Sequence, residues 1–335
     1  MDEKIVRDAH ATFNEAFEAD VSWETFQHKH MAAPESIGES EILVDYADGT
    51  PRGMNGFMPL TLLIGAHPLH ATFSCDTAVR PAYRGQHIFY RMIKRAIEQF
   101  QAEDIDLIYA MPNQNSYHGF QKLEFCELGK FAVYARILRP VELLFRKAMH
   151  RSAEYPPFSD TQFHVGSYLY SISTSCPFSD ADISAINGRT SIHFYRSRAF
   201  YQWKFDDLSK GDRAYLCART AENELVGFLL VHKSGSGAVE ICDWMLPREQ
   251  AAAGAILRTC CKFLRSFCDV VQGFVNPSSW EPQVFSTGEF FRRGTEQPFL
   301  IMPTSELTSA DACPELYDFR NWEVRKIDSD TILNG

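Results

Sequence analysis

The clearest sign of chemistry in this sequence is a glycine-containing turn between a predicted strand and a predicted helix. β-Branched and aromatic residues over 69–79 predict a strand that Pro81 ends. From Ile88 onward, apolar residues recur at helical spacing. Such a turn points backbone N–H groups and the positive end of a helix dipole at one place. Arg84 adds a positive charge and Gly85 leaves the backbone uncovered, so the segment is predicted to hold a phosphate group.

A second polar segment follows a predicted buried strand over residues 105–111. Residues 112–125 read PNQNSYHGFQKLEF, with an Asn, a small Ser and an aromatic residue ahead of Lys122. Together with residues 79–88, this segment resembles the GNAT superfamily of N-acetyltransferases. In that superfamily the turn grips the diphosphate of acetyl-coenzyme A, and the downstream segment ends in Lys-x-Gly-Phe. The order and separation of the two motifs identify residues 40–140 as GNAT-like.

The resemblance implies acetyl-coenzyme A as the acyl donor, held by the turn and by the start of the downstream helix. The residues expected to bind it are Val79, Arg84, Gly85, Gln86, His87, Ile88, Phe89, Asn113, Ser116 and Phe120. The sequence departs from the family pattern at four places. Rings stand at 87 and 89, where the family usually has small residues, and Glu124 stands at the glycine of Lys-x-Gly-Phe. Phe120 replaces a Tyr that often serves as general acid. Phenylalanine has no proton to give.

Acyl transfer to an amine needs a neutral amine, a polarised carbonyl and a proton for the departing thiol. The resemblance implies that a backbone N–H near Val79, or two residues before it, polarises the carbonyl. Asp76 is the nearest carboxylate on the same strand and is a candidate base; its alternative is a structural role, which the matching Asp243 favours. Tyr117 is a candidate acid or coenzyme contact, with a core position as its alternative.

Composition limits the partners and the compartment. The chain has 335 residues, 45% of them hydrophobic, and a formal net charge of −10, which argues against a general nucleic-acid or anionic-membrane surface. Nine cysteines without a Cys-x-x-Cys motif are compatible with a reducing compartment, and no metal site is predicted. Without signal-peptide features, the protein is expected to be cytoplasmic and to act on a small-molecule amine, with neither nucleic acid nor membrane as partner. Its oligomeric state is left open.

The elements that must position the turn follow the order of the GNAT fold. Helical patterning over 1–36 includes a second helix that Ser22 is predicted to cap. Strands are then predicted at 41–46, 54–64 and 69–79. Two helices, a strand meander and a strand–turn–helix–strand unit support the motif assignment independently.

Matched residues in the second half indicate that it repeats the first in the same order. Lys29 is matched by Lys204, and Asp76 by Asp243. Asn113 is matched by Asn276, with a separation that shrinks smoothly along the chain. Strands of the second half are predicted at 213–219, 225–232, 238–245 and 269–275. The fold class is therefore predicted as mixed α/β, with two GNAT-like domains in tandem, each a central mixed β-sheet flanked by helices.

This repeat defines the predicted domains, which are an N-terminal GNAT domain (1–140), a connector (141–160), a degenerate GNAT-like domain (161–303) and a C-terminal tail (304–335). Glu249 stands where a phosphate would need donors, so the second domain is expected not to bind coenzyme A but to form the acceptor side of a shared cleft. A basic amphipathic helix at 141–150 is expected to be a packed connector with a solvated face, with a membrane-surface role as its alternative. Residues 328–330 are predicted to be a solvated end or a lid.

The function predicted from these features is N-acetyl transfer from acetyl-coenzyme A to a primary amine of a small molecule, by direct attack. An acyl-enzyme is not expected, because no Cys or Ser stands beside a His in the motifs. One alternative is a catalytically inactive GNAT-like module that binds acyl-coenzyme A for regulation. Another is aminoacyl-tRNA-dependent transfer, against which the acidic composition counts.

Overall fold

A computed structural model describes residues 2–149, 154–207, 211–234 and 237–329. The helices are α1 (Glu3–Phe17), α2 (Trp23–Met31), α3 (Ile88–Ala102), α4 (Gln114–Lys122), α5 (Pro140–Met149), α6 (Asp180–Asn187), α7 (Arg198–Tyr201), α8 (Gln250–Leu264) and α9 (Glu281–Thr287). The strands are β1 (Glu41–Ala47), β2 (Thr50–Ile64), β3 (His67–Val79), β4 (Leu107–Ala110), β5 (Cys126–Ile137), β6 (Thr161–Val165), β7 (Tyr168–Ser173), β8 (Ile192–Phe194), β9 (Arg213–Arg219), β10 (Leu225–Lys233), β11 (Ala238–Met245), β12 (Val270–Val275) and β13 (Phe291–Pro303). A π turn, Gln202–Asp206, continues α7.

The order of elements repeats once along the chain. The first half runs β1–β2–β3–α3–β4–α4–β5, and the second half runs β9–β10–β11–α8–β12–α9–β13. In both halves the third and fourth strands of the unit pair in parallel, β3 with β4 and β11 with β12. The mixed α/β tandem arrangement is therefore confirmed, and the strands predicted from the repeat agree with β9 to β12 within one residue at each end.

The two halves exchange their last strands within one continuous sheet. Its strand order is β1-β2-β3-β4-β13-β5-β12-β11-β10-β9-β7-β6, with β8 paired to β2. Thus β13 of the second half lies between β4 and β5, and β5 of the first half lies between β13 and β12. The exchange leaves neither β4 nor β12 with an open edge. One sheet therefore runs through both predicted domains, and β13 of the second is inserted between two strands of the first.

The halves also meet through a reciprocal pair of hydrogen bonds. His28 of α2 donates from Nε2 to the Trp203 carbonyl at 2.8 Å, and Trp203 donates from Nε1 to the His28 carbonyl at 3.1 Å. His28 directly precedes Lys29, and Trp203 directly precedes its sequence match Lys204. Equivalent residues therefore contact one another, as in an isologous two-fold interface. The other end of α2 begins at Ser22, whose side chain accepts from Thr25 N as predicted.

The C-terminal segment, residues 304–329, contributes to the core. The prediction of a solvated end or a lid is therefore wrong for Asp328 and Ser329. Trp322 and Ile327 are fully buried within the largest core cluster, and Asp328 is 0% exposed. Tyr109 of β4 donates to the Asp328 carbonyl at 2.6 Å, which ties the segment to the first half. Asp330 lies outside the described residues. Burying the segment is favourable because its apolar side chains fill the space over the centre of the sheet.

Helix α5 faces the opposite way from the prediction. The apolar side chains on one stripe of it are exposed, namely Val141, Leu144, Phe145 and Met149. Arg146 lies on the other face, where it pairs with Asp269 and donates to Tyr155 at 2.9 Å. The expectation of a packed apolar face is therefore wrong, because buried ion pairing fixes the polar face inward. Among the described residues, no helix is both long and apolar enough to cross a membrane.

Candidate active site

A large cleft opens where β3 and β4 separate. The two strands pair only over Ala71–Ser74 of β3 and Leu107–Ala110 of β4, and they diverge beyond these residues. The space between them has a volume of about 1250 Å³. Its walls are the end of α1, the end of β3, the turn before α3, the end of β4 and the start of α4. The predicted site residues that line it are Asp76, Val79, Arg84, Gly85, His87, Ile88, Phe89, Asn113, Ser116 and Phe120, whereas Gln86 and Tyr117 do not.

The turn before α3 presents free backbone donors to this cleft. Gly85 has φ 80°, a conformation that favours glycine, and His87 has φ 58°. His87 is the N-cap of α3, and its side chain makes no capping hydrogen bond. The first N–H groups of a helix have no acceptor within the helix. The uncapped N–H groups and the positive end of the α3 dipole therefore lie in one wall of the cleft, which is the arrangement that binds a phosphate.

Arg84 joins the turn to α1. Its Nη2 donates to the Ala16 carbonyl at 2.7 Å, and its Nε donates to the Val79 carbonyl at 3.3 Å. Ala16 lies in the last turn of α1, where carbonyl groups lack partners within the helix. The guanidinium thus fixes the end of α1 against the end of β3. The sequence predicted a charge aimed at phosphate; the structure uses much of that donor capacity to hold the cleft walls together.

The ring at residue 89 is accommodated by a glycine on the facing helix. A Cβ atom added to Gly119 of α4 would lie 2.3 Å from a carbon of the Phe89 ring. The Phe89 and Phe120 rings meet edge to face, with centroids 5.1 Å apart. The large side chain at 89, where the family pattern has a small one, therefore occupies space that the missing side chain of Gly119 leaves.

Asp76 is fully engaged by two residues of α2. Lys29 Nζ contacts both carboxylate oxygens, at 2.7 and 2.6 Å, and His30 Nε2 lies 2.9 Å from Oδ2. The side chains of all three residues are at most 2% exposed. Burial alone would raise the pKa of Asp76, but the Lys29 charge and the His30 hydrogen bond hold that pKa well below its ordinary range. These contacts favour the structural alternative for Asp76 over the role of base.

The backbone near Val79 has the geometry expected of a carbonyl-polarising donor. Arg80 N donates to the Arg52 carbonyl of β2 at 2.9 Å. Because successive N–H groups of a strand point in opposite directions, the N–H of Val79 points away from β2. On that side β4 has already diverged, and the cleft begins. The donor predicted at Val79 therefore faces the cleft.

Tyr117 does not reach the cleft. Its hydroxyl donates to Glu127 of β5 and accepts from Gln121 Nε2 at 2.8 Å. The hydrogen bond to Glu127 raises the pKa of Tyr117. The structure thus leaves the predicted acid outside the lining of the cleft, with its hydroxyl proton donated to the carboxylate of Glu127.

Several cleft residues were not identified from the sequence. Glu18 follows α1 in a left-handed conformation, φ 50°, beside the exposed ring of Phe17. Gln297 reaches the cleft from β13 and donates from Nε2 to the Pro112 carbonyl at 2.9 Å. No local signal marks Gln297, because only the strand exchange brings it there. Among the described residues of the second half, it alone lines this cleft.

The corresponding place in the second half is closed. The N-cap of α8 is Glu249, whose carboxylate accepts from Ala251 N at 3.1 Å and from Ala252 N at 2.7 Å. The remaining cavity is about 300 Å³ and is bordered by Trp244 and by Glu323 of the C-terminal segment. The first N–H groups of α8 are therefore already hydrogen-bonded to a carboxylate of the chain itself. In the described part of the chain, no group of His, Cys, Asp or Glu side chains is arranged to hold a metal ion.

Comparison with known proteins agrees with this geometry. Residues 1–125 match the family model for the acetyltransferase (GNAT) domain. Among curated protein sequences, none matches the chain.

Many solved structures are similar in fold, and three of them serve for comparison. A conserved protein of unknown function from Enterococcus faecalis V583, described as a probable N-acyltransferase, is 13% identical with a TM-score of 0.64, covering 91% of this chain and 71% of that one. A GCN5-related N-acetyltransferase from Anabaena variabilis ATCC 29413 is 11% identical with a TM-score of 0.61 over 91% and 71% of the chains. Eis1 from Mycobacterium abscessus is 12% identical with a TM-score of 0.57 over 91% and 72%. The chain therefore has the fold of solved GCN5-related N-acetyltransferases, and its residues 1–125 match the family model of the GNAT acetyltransferase domain.

Proposed function

We propose that this protein is an N-acetyltransferase that moves the acetyl group of acetyl-coenzyme A to a primary amine of a small molecule. An amino sugar, an amino acid or a biosynthetic intermediate is the expected acceptor. The observation that carries the proposal is one continuous cleft with free backbone N–H groups at two places. The uncapped start of α3 lies at one wall, and the outward N–H of Val79 lies where β3 leaves β4.

The residues present fit the donor. Its diphosphate would be held by the N–H groups from Gly85 to the first turn of α3, which no capping side chain occupies. The acyl thioester supplies the reactive carbonyl, and the Val79 N–H would stabilise the negative charge that develops on its oxygen. The amine attacks the carbonyl carbon, the bond to sulfur breaks, and the thiol leaves with a proton.

Glu18 is our candidate for the group that receives the amine. Two carboxylates line the cleft, Glu18 and Asp76, and Asp76 is paired with Lys29 and His30. Among the described residues, Glu18 has no ion pair. An unpaired carboxylate at the cleft wall can attract an ammonium group and accept its proton directly or through one water molecule.

A regulatory module that binds acyl-coenzyme A without turnover is the second candidate. The observation that favours it is the absence of a phenol in the cleft at the expected position, since Phe120 has replaced it and Tyr117 is bound to Glu127. The donor cleft serves both candidates. They differ in whether a thiol is released when amines are supplied.

The first test is isothermal titration of acetyl-coenzyme A into the wild-type protein and two variants at the N-cap of α3. His87→Asp places a carboxylate where the second half has Glu249, while His87→Asn is its uncharged isostere. Both Asp and Asn tolerate the left-handed backbone of this residue. We expect binding at one site per chain in the wild type and His87→Asn, and binding weakened by about 100-fold or more in His87→Asp.

Thiol release from acetyl-coenzyme A, followed with a panel of amino sugars, amino acids and polyamines, separates the two candidates. Release that depends on one class of amine supports the transferase. Binding without release across the panel supports the regulatory module. If millimolar acetyl-coenzyme A gives neither heat nor a thermal shift, both are overturned.

A further inference from the structure

Strand β3 contains a bulge, and the buried ion pairs of Asp76 with Lys29 and His30 lie beside it. Neither takes part directly in the acyl-transfer steps proposed above. Register passes from Gly56↔Cys75 to Met54↔Ala78, so two residues of β3 oppose one residue of β2. The first of these two β3 residues is Asp76, whose φ is 53°. Its carboxylate is the one that Lys29 and His30 hold.

The bulge defines where the cleft opens. Pairing of β3 with β4 ends at Ser74, and the bulge follows at Asp76. Because a bulge bends its strand and increases the local twist, it directs the segment up to Val79 away from β4. The direction of the Val79 N–H therefore depends on the conformation of Asp76.

A left-handed backbone at a residue with a side chain costs about 1–2 kcal/mol. Such a conformation persists only where the surroundings determine it. Three contacts do so here, because Lys29 Nζ bridges both oxygens of Asp76 at 2.7 and 2.6 Å and His30 Nε2 contacts one at 2.9 Å. Helix α2, which carries both partners, is anchored on Trp203 of the second half through His28.

We propose that Lys29, His30 and Asp76 form a positioning cluster that holds the β3 bulge in place and so aims the Val79 N–H at the thioester carbonyl. This inference rests on the proposed function, since it concerns the same reaction. Asp76 acts through the backbone and takes no proton from the amine. The second half contributes by anchoring α2, although its own cleft is closed.

The second half supplies a matched control. Asp243 is also buried and ion-paired, with Arg196 Nε at 3.0 Å and the Tyr201 hydroxyl at 2.9 Å. The backbone of Asp243, unlike that of Asp76, does not have a positive φ. Asp243 also does not line the large cleft. Loss of a buried ion pair alone should therefore affect both sites, whereas loss of positioning should affect only Asp76.

The experiment compares Asp76→Asn with Asp243→Asn in the full chain, using acetyl-coenzyme A and the amine that gives the fastest thiol release in the panel. We expect kcat to fall about 100-fold in Asp76→Asn, as for a misplaced catalytic group, with the dissociation constant of acetyl-coenzyme A unchanged within about 3-fold. The pH profile should keep its shape. Asp243→Asn should lose stability but keep kcat within about 3-fold.

A rescue variant keeps the test decisive if Asp76→Asn folds poorly. The double substitution Lys29→Met with Asp76→Gly removes both charges and introduces a residue for which a positive φ costs nothing. We expect its kcat to return to within about 10-fold of the wild type. A double variant that remains about 100-fold slow would overturn the inference, and loss of the acid limb from its kcat/KM profile would identify Asp76 as the base.

A readout without turnover separates this inference from the proposed function. The infrared band of an isotope-labelled thioester carbonyl in bound acetyl-coenzyme A should move to lower frequency in the wild type, and the shift should be lost in Asp76→Asn. Binding and a shift without thiol release would contradict the transferase but support the cluster. Turnover in the wild type with an unchanged kcat and an unchanged band in Asp76→Asn would overturn the cluster alone, and failure of acetyl-coenzyme A to bind would overturn both.

Discussion

The helix N-termini of α3 and α8 occupy equivalent places in the two halves, yet one is open and the other is filled. At α3 the cap is His87, which makes no capping hydrogen bond, and the N–H groups face a cleft of about 1250 Å³. At α8 the Glu249 carboxylate accepts two of the corresponding N–H groups, and the cavity is about 300 Å³. The same backbone geometry can thus bind an external anion or be satisfied by its own chain.

The matched asparagines show how the second cleft is closed. Asn113 Oδ1 accepts from Asn115 N at 2.9 Å, and Asn276 Oδ1 accepts from Ser278 N at 3.0 Å, so both amides accept from the backbone two residues ahead, although Asn113 caps α4 and Asn276 begins a turn before α9. Asn113 is exposed at the rim of the open cleft. Asn276 is fully buried, and its Nδ2 donates to the Phe319 and Trp322 carbonyls of the C-terminal segment, at 2.6 and 3.0 Å. In the second half, the C-terminal segment therefore occupies the space that corresponds to the open cleft of the first half.

The largest expected effect comes from removing the central side chain of that filling segment. Trp322 is fully buried, packs on Phe299 with ring centroids 4.9 Å apart, and donates from Nε1 to the Leu316 carbonyl at 2.8 Å. We expect Trp322→Ala to lower the free energy of unfolding by about 4 kcal/mol through lost packing and a new cavity. Chemical denaturation measures this change.

The control for this prediction lies on the same segment. Leu307 is 64% exposed, and Leu307→Ala should change the free energy of unfolding by no more than about 0.5 kcal/mol. Binding of acetyl-coenzyme A to Trp322→Ala below its unfolding transition should stay within about 3-fold of the wild type, because Trp322 does not line the open cleft. A loss of binding in the folded variant would show that the open cleft depends on the packing of the C-terminal segment.

The sequence predicts those parts of the site that depend on local chemistry. The turn before α3 is specified by Pro81, Gly85 and the helical spacing after it, and the structure places these elements as predicted. The strands of the second half follow from alternation and from the repeat. Such features are readable because a turn or a strand is determined mainly by residues close to it in the chain.

The parts that were missed depend on contacts distant in sequence. Gln297 reaches the cleft because β13 inserts beside β4, and the side chains of Lys29 and Asp76 meet across 47 positions. The polar composition of the tail suggested a solvated end, yet Arg196 lies 2.6 Å from Asp328 and neutralises that buried carboxylate. Burial of a charge is set by its partner, and a single sequence does not show which residues become partners.

A second prediction uses acid to distinguish the filled half from the open one. His193 of β8 is 1% exposed, and burial together with the nearby Arg189 charge lowers its pKa from 6.5 to about 4. The folded state therefore resists a proton that the unfolded chain accepts between these values. Stability should fall as pH decreases from 6.5 to about 4, by up to about 3 kcal/mol from this residue.

Denaturant unfolding of His193→Gln across the same pH range tests the assignment. The neutral amide cannot take up the proton, so the variant should lose most of this acid dependence, whatever its stability at pH 7. His67→Gln, at an exposed position, should retain the wild-type slope. An unchanged slope in His193→Gln would place the acid sensitivity elsewhere in the chain.

The smallest effect expected is at the two helix caps, and it has opposite signs in the two halves. Glu249→Ala removes the acceptor for Ala251 N and Ala252 N and should cost about 1 kcal/mol of stability without creating an acetyl-coenzyme A site, because Trp244 and the C-terminal segment still fill the cavity. His87→Asp places a negative charge at the N-terminus of α3 and should raise the free energy of unfolding by about 0.5 kcal/mol while it weakens binding by about 100-fold or more. Calorimetric unfolding and titration on the same samples measure both quantities. If His87→Asp lost stability and binding together, the open N-terminus would be a structural requirement of the fold; a gain in stability with a loss of binding would show that the free N–H groups are kept for a ligand.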